Sequence, residues 1–361
     1  MNIAVDAREL VGRPTGVGRY LGALFNEWSR SLEARRHRWT LYSHAPLELD
    51  HPHPGVTTVL AGTGGTRWEQ WTLARELARN RPDLLFAPGY TAPFTAPCPV
   101  ALTIHDVSFA AHPEWFSTRE GMRRRAVTAW SARRARVVLT DSRFSRDEIV
   151  RHIGIPAAKV KVIPLGVPTA GSNRAATREP LILYVGSLFS RRHVPELIRA
   201  FVEQVAPRVP DSRLEIVGEN RLYPRADISD ALRGVAPAIA KRVALRSYVP
   251  EETLRELYGR ASVFAFLSEY EGFGLPPLEA LAADVPPVVL DTPVAREVYG
   301  AAARYVGDLT PDAIAGALID LLTRREAREA LLQHRDTVLA HYSWPRAAEA
   351  TLHALLEAGG A

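Results

Sequence analysis

The sequence predicts an α/β protein built from two doubly wound, Rossmann-like domains facing a deep cleft. Three observations predict it. Short apolar runs alternate with amphipathic stretches from one end to the other, and strands alternating with helices imply a parallel sheet covered on both faces. The 361 residues are too many for one ordinary core. Proline and small polar residues gather in Pro168-Thr169-Ala170-Gly171-Ser172-Asn173, between two such alternating series, as they do in a linker.

In the first series Ile3–Asp6, Trp39–Ser43, Val56–Leu60, Leu84–Ala87, Val100–Ile104, Val137–Thr140 and Val160–Ile163 read as strands. They are the near-continuous apolar runs that a sheet buried on both faces requires. The amphipathic stretches between them, Val17–Leu32, Arg67–Arg79, Thr118–Arg134 and Ser142–His152, read as helices. In the second series Leu181–Val185, Arg213–Val217, Arg242–Leu245, Ser262–Phe266 and Val288–Leu290 read as strands. Pro195–Val205, Pro250–Arg260, Pro276–Ala283 and Thr310–His334 read as helices. Thr310-Pro311-Asp312 is a strong helix start: a hydroxyl cap, proline at the first position, an acid in the first turn. A last helix begins at Tyr342-Ser343-Trp344-Pro345 and runs to about Glu357. The expected domains are residues 1–170, joined by 343–361, and residues 178–342. Ligands of such sheets sit at the carboxyl ends of the strands, so the active site is expected between the halves.

Composition narrows the class. Hydrophobic residues make up 47% of the chain and charged residues 24%, as in an ordinary globular enzyme. No apolar stretch reaches the roughly 18 residues of a membrane span. The start, Met1-Asn2-Ile3-Ala4-Val5-Asp6, reads as a first strand rather than a secretory signal. The single cysteine, Cys98, builds neither a disulfide framework nor a cysteine zinc site, and suits a reducing cytoplasm. The net charge is +5, and only three of the 45 basic residues are lysine. A skew toward arginine of this kind fits a GC-rich genome first. It also permits contact with phosphates or an anionic membrane surface. No helix-turn-helix, zinc-finger or RNA-recognition pattern occurs, so a nucleic-acid partner is not expected.

The most informative stretch is Ser268-Glu269-Tyr270-Glu271-Gly272-Phe273-Gly274-Leu275-Pro276-Pro277-Leu278-Glu279-Ala280. Two carboxylates, Glu271 and Glu279, bracket a Gly-Phe-Gly turn that runs into a helix start. Free amides at a helix N-terminus favour an anion, and carboxylates accept from hydroxyls, so the segment suits a phosphorylated sugar. Val185-Gly186-Ser187-Leu188-Phe189-Ser190-Arg191-Arg192-His193 follows the first strand of the second domain. Its glycine turn, paired arginines and adjoining helix start can clamp a diphosphate; a solvated basic loop is the plainer alternative. Arg13-Pro14-Thr15-Gly16-Val17-Gly18-Arg19-Tyr20 joins the first strand to the first helix and is not G-x-G-x-x-G, because Leu21 stands at the third glycine. Thr103-Ile104-His105-Asp106 ends a strand at its carboxyl end. Tyr248-Val249-Pro250 reads equally as a strand-to-helix turn or a ligand contact. Arg67-Trp68-Glu69-Gln70-Trp71 opens a helix that either packs amphipathically or meets an acceptor or a lipid interface. Pro88-Gly89-Tyr90 sits after a strand, where it could line an acceptor pocket.

The E-x7-E run with G-F-G-L-P between its acids resembles the donor-site signature of the retaining glycosyltransferases of family 4. The resemblance covers nearly the whole chain and, through G-V-G-R-Y, W-E-Q, P-G-Y and I-H-D, is strongest to mannosyltransferase-like members. It implies the GT-B fold, with the last helix crossing back to the first domain. It implies hexose transfer from a nucleotide sugar, GDP-mannose first, to a glycan, lipid-linked or small-molecule hydroxyl in an α-linkage, in the cytoplasm or at the inner membrane face. His105, Arg192 and Glu271 take the catalytic roles. Gly16, Ser187, Arg191, Arg192, Val249, Phe273, Gly274, Leu275 and Glu279 contact the donor; Tyr20, Trp68, Tyr90 and Asp106 face the acceptor. The family carries a lysine at Arg192 and often a basic residue at Ser187, so Arg191 is expected to take over from Ser187. No D-x-D occurs, and neither metal nor other cofactor is expected; arginines and helix dipoles would replace magnesium. Rival readings are a nucleotide-sugar epimerase of the same fold, a dinucleotide-dependent oxidoreductase and a non-catalytic sugar-nucleotide binder.

Overall fold

Burial on both faces dictates the strands. In a computed structural model, which describes residues 1–12, 16–47, 55–167 and 178–360, the apolar runs become parallel strands, covered in the middle of each sheet and exposed toward edges such as Val56–Val59. The chain divides into two compact units, Met1–Gly166 with Tyr342–Ala361, and Val167–His341. The linker segment 168–173 and Arg13, Pro14 and Thr15 of the glycine-rich loop lie outside the described residues.

The first unit holds seven strands: β1 (Asn2–Asp6), β2 (Arg38–Ser43), β3 (Val56–Val59), β4 (Leu84–Ala87), β5 (Val100–Thr103), β6 (Val137–Thr140) and β7 (Val160–Val162). Their order is β3-β2-β1-β4-β5-β6-β7, all parallel. The direction of winding reverses between β1 and β4, and such a switch point is where an open sheet leaves a crevice at its carboxyl edge. Trp28, on the helix Gly16–Arg30, stacks on Trp39 of β2 at 4.8 Å and donates its indole N–H to the Ala348 carbonyl at 2.9 Å. The final helix, Trp344–Gly359, thereby belongs to the first unit although it follows the second in sequence. Gly166 is required at the return: a Cβ there would lie 2.2 Å from the Trp344 amide nitrogen.

The second unit holds β8 (Leu181–Val185), β9 (Arg213–Val217), β10 (Val243–Arg246), β11 (Val263–Phe266), β12 (Pro287–Leu290) and β13 (Arg304–Val306). Their order is β10-β9-β8-β11-β12-β13, again all parallel, and the reversal falls between β8 and β11. The glycine turn with Arg191 and Arg192 leaves β8; the acid-bracketed turn leaves β11. Both anion-binding candidates therefore flank one switch point.

Several elements differ from expectation, among them a helix Pro293–Tyr299 that was not expected and a π-helix over Phe201–Val205 inside the expected Pro195–Val205. The strand β13 escapes sequence reasoning because three residues beginning with an exposed arginine carry no periodicity. The helix expected over Thr310–His334 breaks after Thr323: Arg324 is extended, at φ −109° and ψ 106°, and a new helix, Arg325–Leu332, follows. The stretch from Arg67 opens with a π-turn over Trp68–Leu73 before the α-helix Ala74–Asn80. Among the described residues no helix is long and apolar enough to cross a membrane.

Candidate active site

In the second unit, glycines bring two turns together. Gly186 has φ 144°, and a Cβ on Gly218 would stand 1.9 Å from the Gly186 carbonyl oxygen, so the turns after β8 and β9 touch backbone to backbone. The short 3-10 turn Ser190–Arg192 then folds both arginines back over the sheet edge. Arg192 is largely covered. Its Nε donates to Glu271 Oε1 at 2.7 Å and its Nη1 to the Ser187 carbonyl at 2.9 Å. Its guanidinium lies 5.0 Å from the Phe266 ring centre and 5.4 Å from that of Phe189. Ser268 Oγ donates to the same Glu271 oxygen at 2.9 Å. Among the described residues both contacts of Glu271 run through Oε1, leaving Oε2 for a further donor. Burial alone would raise the Glu271 carboxyl, but the charges of Arg192 and Arg191 and the bonds from Arg192 and Ser268 hold it below its ordinary value. Arg191 donates through Nε to the Tyr270 carbonyl at 3.1 Å and stacks over Phe189 at 4.5 Å.

The helix Leu275–Ala282 starts from Gly274 at φ 91°, a left-handed position that glycine takes without strain. Pro276 and Pro277 have no N–H, so any backbone donors at this N-terminus belong to the residues just before them, Phe273, Gly274 and Leu275. Tyr299 fixes the bend: its hydroxyl donates to the Gly274 carbonyl at 2.8 Å. Glu279 sits one turn inside the helix, half-buried, and accepts from the Tyr258 hydroxyl at 3.4 Å. Val249 is buried in the turn after β10, beside the exposed Tyr248.

In the first unit, His105 leaves β5 at the sheet's carboxyl edge. Nδ1 lies 2.7 Å from Asp141 Oδ2 and Nε2 lies 3.2 Å from the Pro88 carbonyl. Both neighbours only accept, so both ring nitrogens are placed to donate, which favours the protonated ring. Burial would lower its pKa, but the charge and hydrogen bond of Asp141 outweigh that and raise it. Tyr20 packs edge-on against the imidazole at 5.0 Å and is buried beside Thr103. Tyr90 donates to Asp106 Oδ2 at 3.1 Å, and Asp106 Oδ1 accepts the Ser108 amide at 2.8 Å. Gly16 is the first residue of its helix, exposed, with open space where a Cβ would be. Trp68 is buried, its indole N–H bonded to the Leu60 carbonyl at 3.2 Å; Trp71 is the exposed tryptophan, at 72%.

Sequence reasoning missed the buried cluster beside these groups. Arg8 Nη2 bonds Asp6 Oδ2 at 3.0 Å and also bonds Glu69 Oε1. Thr91 Oγ1 donates to the same Glu69 oxygen at 2.6 Å, and Gln70 Nε2 to Glu69 Oε2 at 2.9 Å. Burial pushes the Asp6 carboxyl up to about 6 although Arg8 pulls it down. Asp-x-Arg at the end of β1 was the available signal; its partner Glu69 is far off in sequence.

Two family models match the chain. "Glycosyltransferase Family 4" matches residues 15–170 and "Glycosyl transferases group 1" residues 170–334. The O-antigen chain mannosyltransferase B of Escherichia coli is 27% identical over 266 residues, 70% of this chain and 68% of the relative. Alignments to such O-antigen mannosyltransferases span from 56% to 68% of those relatives' length. The glycogen synthase of Mycobacterium tuberculosis is 27% identical over 95% of this chain and 91% of the relative. The crystal structure of Anabaena HepE in complex with UDP and glucose superposes with a TM-score of 0.73 at 17% identity, covering 98% of each chain. Two all-parallel sheets and paired family models spanning residues 15–334 agree: the chain belongs to the family 4 glycosyltransferases of the GT-B fold.

Proposed function

We propose that the chain transfers a hexose, mannose from GDP-mannose first, to a saccharide, lipid-linked or small-molecule hydroxyl, with retention and without a metal. The observation that carries this reading is the partly buried Arg192–Glu271 pair beside the Gly274 bend. It puts a fixed cation, the main-chain amides of a helix start and a carboxylate along one sheet edge. Arg192 and Arg191 stabilise charge building on the leaving diphosphate, where the family's Ser187 counterpart is often basic. Amides of Phe273, Gly274 and Leu275 hold phosphate or sugar oxygens. Glu271 Oε2 takes a sugar hydroxyl, and Glu279 the ribose. Pyrophosphate charge is met by guanidinium and main-chain dipoles in place of a divalent cation.

In the first unit His105 contacts the transferred sugar, and Tyr90 with Asp106 meets the acceptor hydroxyl. No side chain here need act as base, since a donor phosphate oxygen can take the acceptor proton in a front-face route. An acceptor carried on lipid would bring the chain to the inner membrane face, where exposed Trp71 suits the interface. The mannosyltransferase relatives favour mannose. The HepE complex with UDP and glucose, and the near full-length alignment to a glycogen synthase, support a second reading with UDP-glucose as donor.

A thermal-shift panel of GDP, UDP, ADP and dTDP tests the donor, because a bound ligand raises stability by mass action. GDP is expected to give the largest shift, and EDTA to leave both shift and turnover unchanged. A UDP-only response replaces the donor; no response to any of the four ends the reading.

A further inference from the structure

Tyr90 occupies a backbone state that its own chemistry resists. Its φ is +63°, and the Thr91 amide donates to the Gly89 carbonyl, two residues back, at 2.7 Å. This is a γ-turn of the positive-φ hand, rare and strained for a residue with a side chain. Such strain persists only where the surroundings over-determine it. Here they do so from both sides. The Tyr90 amide donates to the Thr103 carbonyl at 2.8 Å, holding the turn to the end of β5. On its other flank Thr91 Oγ1 donates to Glu69 at 2.6 Å and lies 3.4 Å from Arg8 Nη2. Glu69 and Asp6 are both nearly inaccessible, and each is bonded by Arg8. Gln70 adds a second fastening: it donates to the Ala92 carbonyl at 3.2 Å and accepts the Phe94 amide at 2.8 Å. The cluster thus joins the end of β1, the π-turn Trp68–Leu73 and the turn after β4. A π-turn in a helix frequently marks a functional site.

We propose that Asp6, Arg8, Glu69 and Thr91 form a buried lock whose task is to hold Tyr90 in its left-handed turn, and thereby to aim the Tyr90 hydroxyl at Asp106. They are positioning residues: they act through Tyr90 and do not touch a reacting atom. The kinetic consequence rests on the glycosyl-transfer reading above, while the structural consequence does not.

Thr91→Val keeps the shape of the side chain and removes its donor; Thr91→Ser keeps the donor. Crystal structures and steady-state kinetics of both variants test the lock. For Thr91→Val the expected result is Tyr90 relaxed to negative φ and the Tyr90–Asp106 bond opened beyond about 3.5 Å. Misplacement of this size is expected to lower kcat about tenfold to a hundredfold, with the donor KM unchanged. Thr91→Ser is expected to keep the turn and the rate, which loss of packing alone would not explain. A Thr91→Val structure with Tyr90 still at positive φ overturns the proposal. So does a relaxed Tyr90 whose kcat equals that of the parent. If the parent turns over no nucleotide sugar, the functional reading fails, and the crystal structures still decide whether the lock exists.

Discussion

Arg192 and Glu271 show how one pair of side chains can be both structure and chemistry. Each is largely covered, and each offsets part of the other's desolvation penalty. Truncating Arg192 to Ala would therefore remove the cation proposed to face the leaving group and strand a largely covered carboxylate. Loss of one such charge-stabilising donor is expected to lower kcat about a hundredfold to a thousandfold, or about 3–4 kcal/mol. Glu271→Gln keeps the shape but weakens the bond to Arg192, and is expected to lose rate while keeping the fold; near-normal rates in both variants would contradict the assignment. His105 gives the pH prediction. Its folded-state pKa is raised above the ordinary 6.5, so the ion pair with Asp141 contributes fully below about 6.5 and is lost as pH rises through the raised value. An NMR titration of the ring is expected to give a midpoint above 6.5, and the stability gap between the parent and His105→Gln to narrow as pH rises. A midpoint below 6.5 would show that burial outweighs Asp141.

At the scale of elements, the site depends on where turns can be tight. Gly274 caps the helix Leu275–Ala282 at φ 91°, and a Cβ there would stand 2.1 Å from the Tyr299 hydroxyl. Gly274→Ala is expected to lose about 1–3 kcal/mol of stability and to raise the donor KM, because the amides of the bend move with it. Tyr299→Phe removes the bond to the Gly274 carbonyl without a clash; about 1 kcal/mol is expected from denaturant unfolding, with a smaller rise in KM. These elements were largely legible in the sequence. Gly-Phe-Gly before Pro-Pro announces a turn and a helix start, and the glycine turn after β8 announces close approach. Sequence reasoning missed the helix Pro293–Tyr299, although Thr292-Pro293 carries the same start signal as Thr310-Pro311 and Thr292 Oγ1 accepts the Ala295 amide at 3.3 Å. The break at Arg324 was not legible, because nothing local forbids a helix there. Nor was the Tyr90 turn: a tyrosine is a poor predictor of positive φ, and the bonds that hold it come from segments distant in sequence.

Across the whole molecule, alternation of strands and helices made two parallel sheets readable, while strand order had to come from pairing. That order is what places Arg192 and Glu271 at one switch point, and Asp6 and Tyr90 at another. Arg8 and Glu69 meet only because β1 lies centrally in its sheet, a fact no local pattern encodes. The final helix shows the same dependence on tertiary context. Its Ala348 carbonyl accepts the Trp28 indole, and Leu352 and Leu355 are buried in the first unit. Deleting residues 342–361 is expected to uncover that apolar face and leave an aggregating chain in gel filtration; a monodisperse, cooperatively unfolding product would contradict this account of the first unit. The claim beneath every functional statement is that arginines and main-chain amides around the Gly274 bend grasp a pyrophosphate while Glu271 reads the sugar. A crystal structure with a bound nucleoside diphosphate sugar tests it most directly. The account predicts phosphate oxygens within hydrogen-bond distance of Arg191, Arg192 and the Phe273–Leu275 amides, with a sugar hydroxyl on Glu271. A fully occupied donor lodged elsewhere, with the bend untouched, would contradict it.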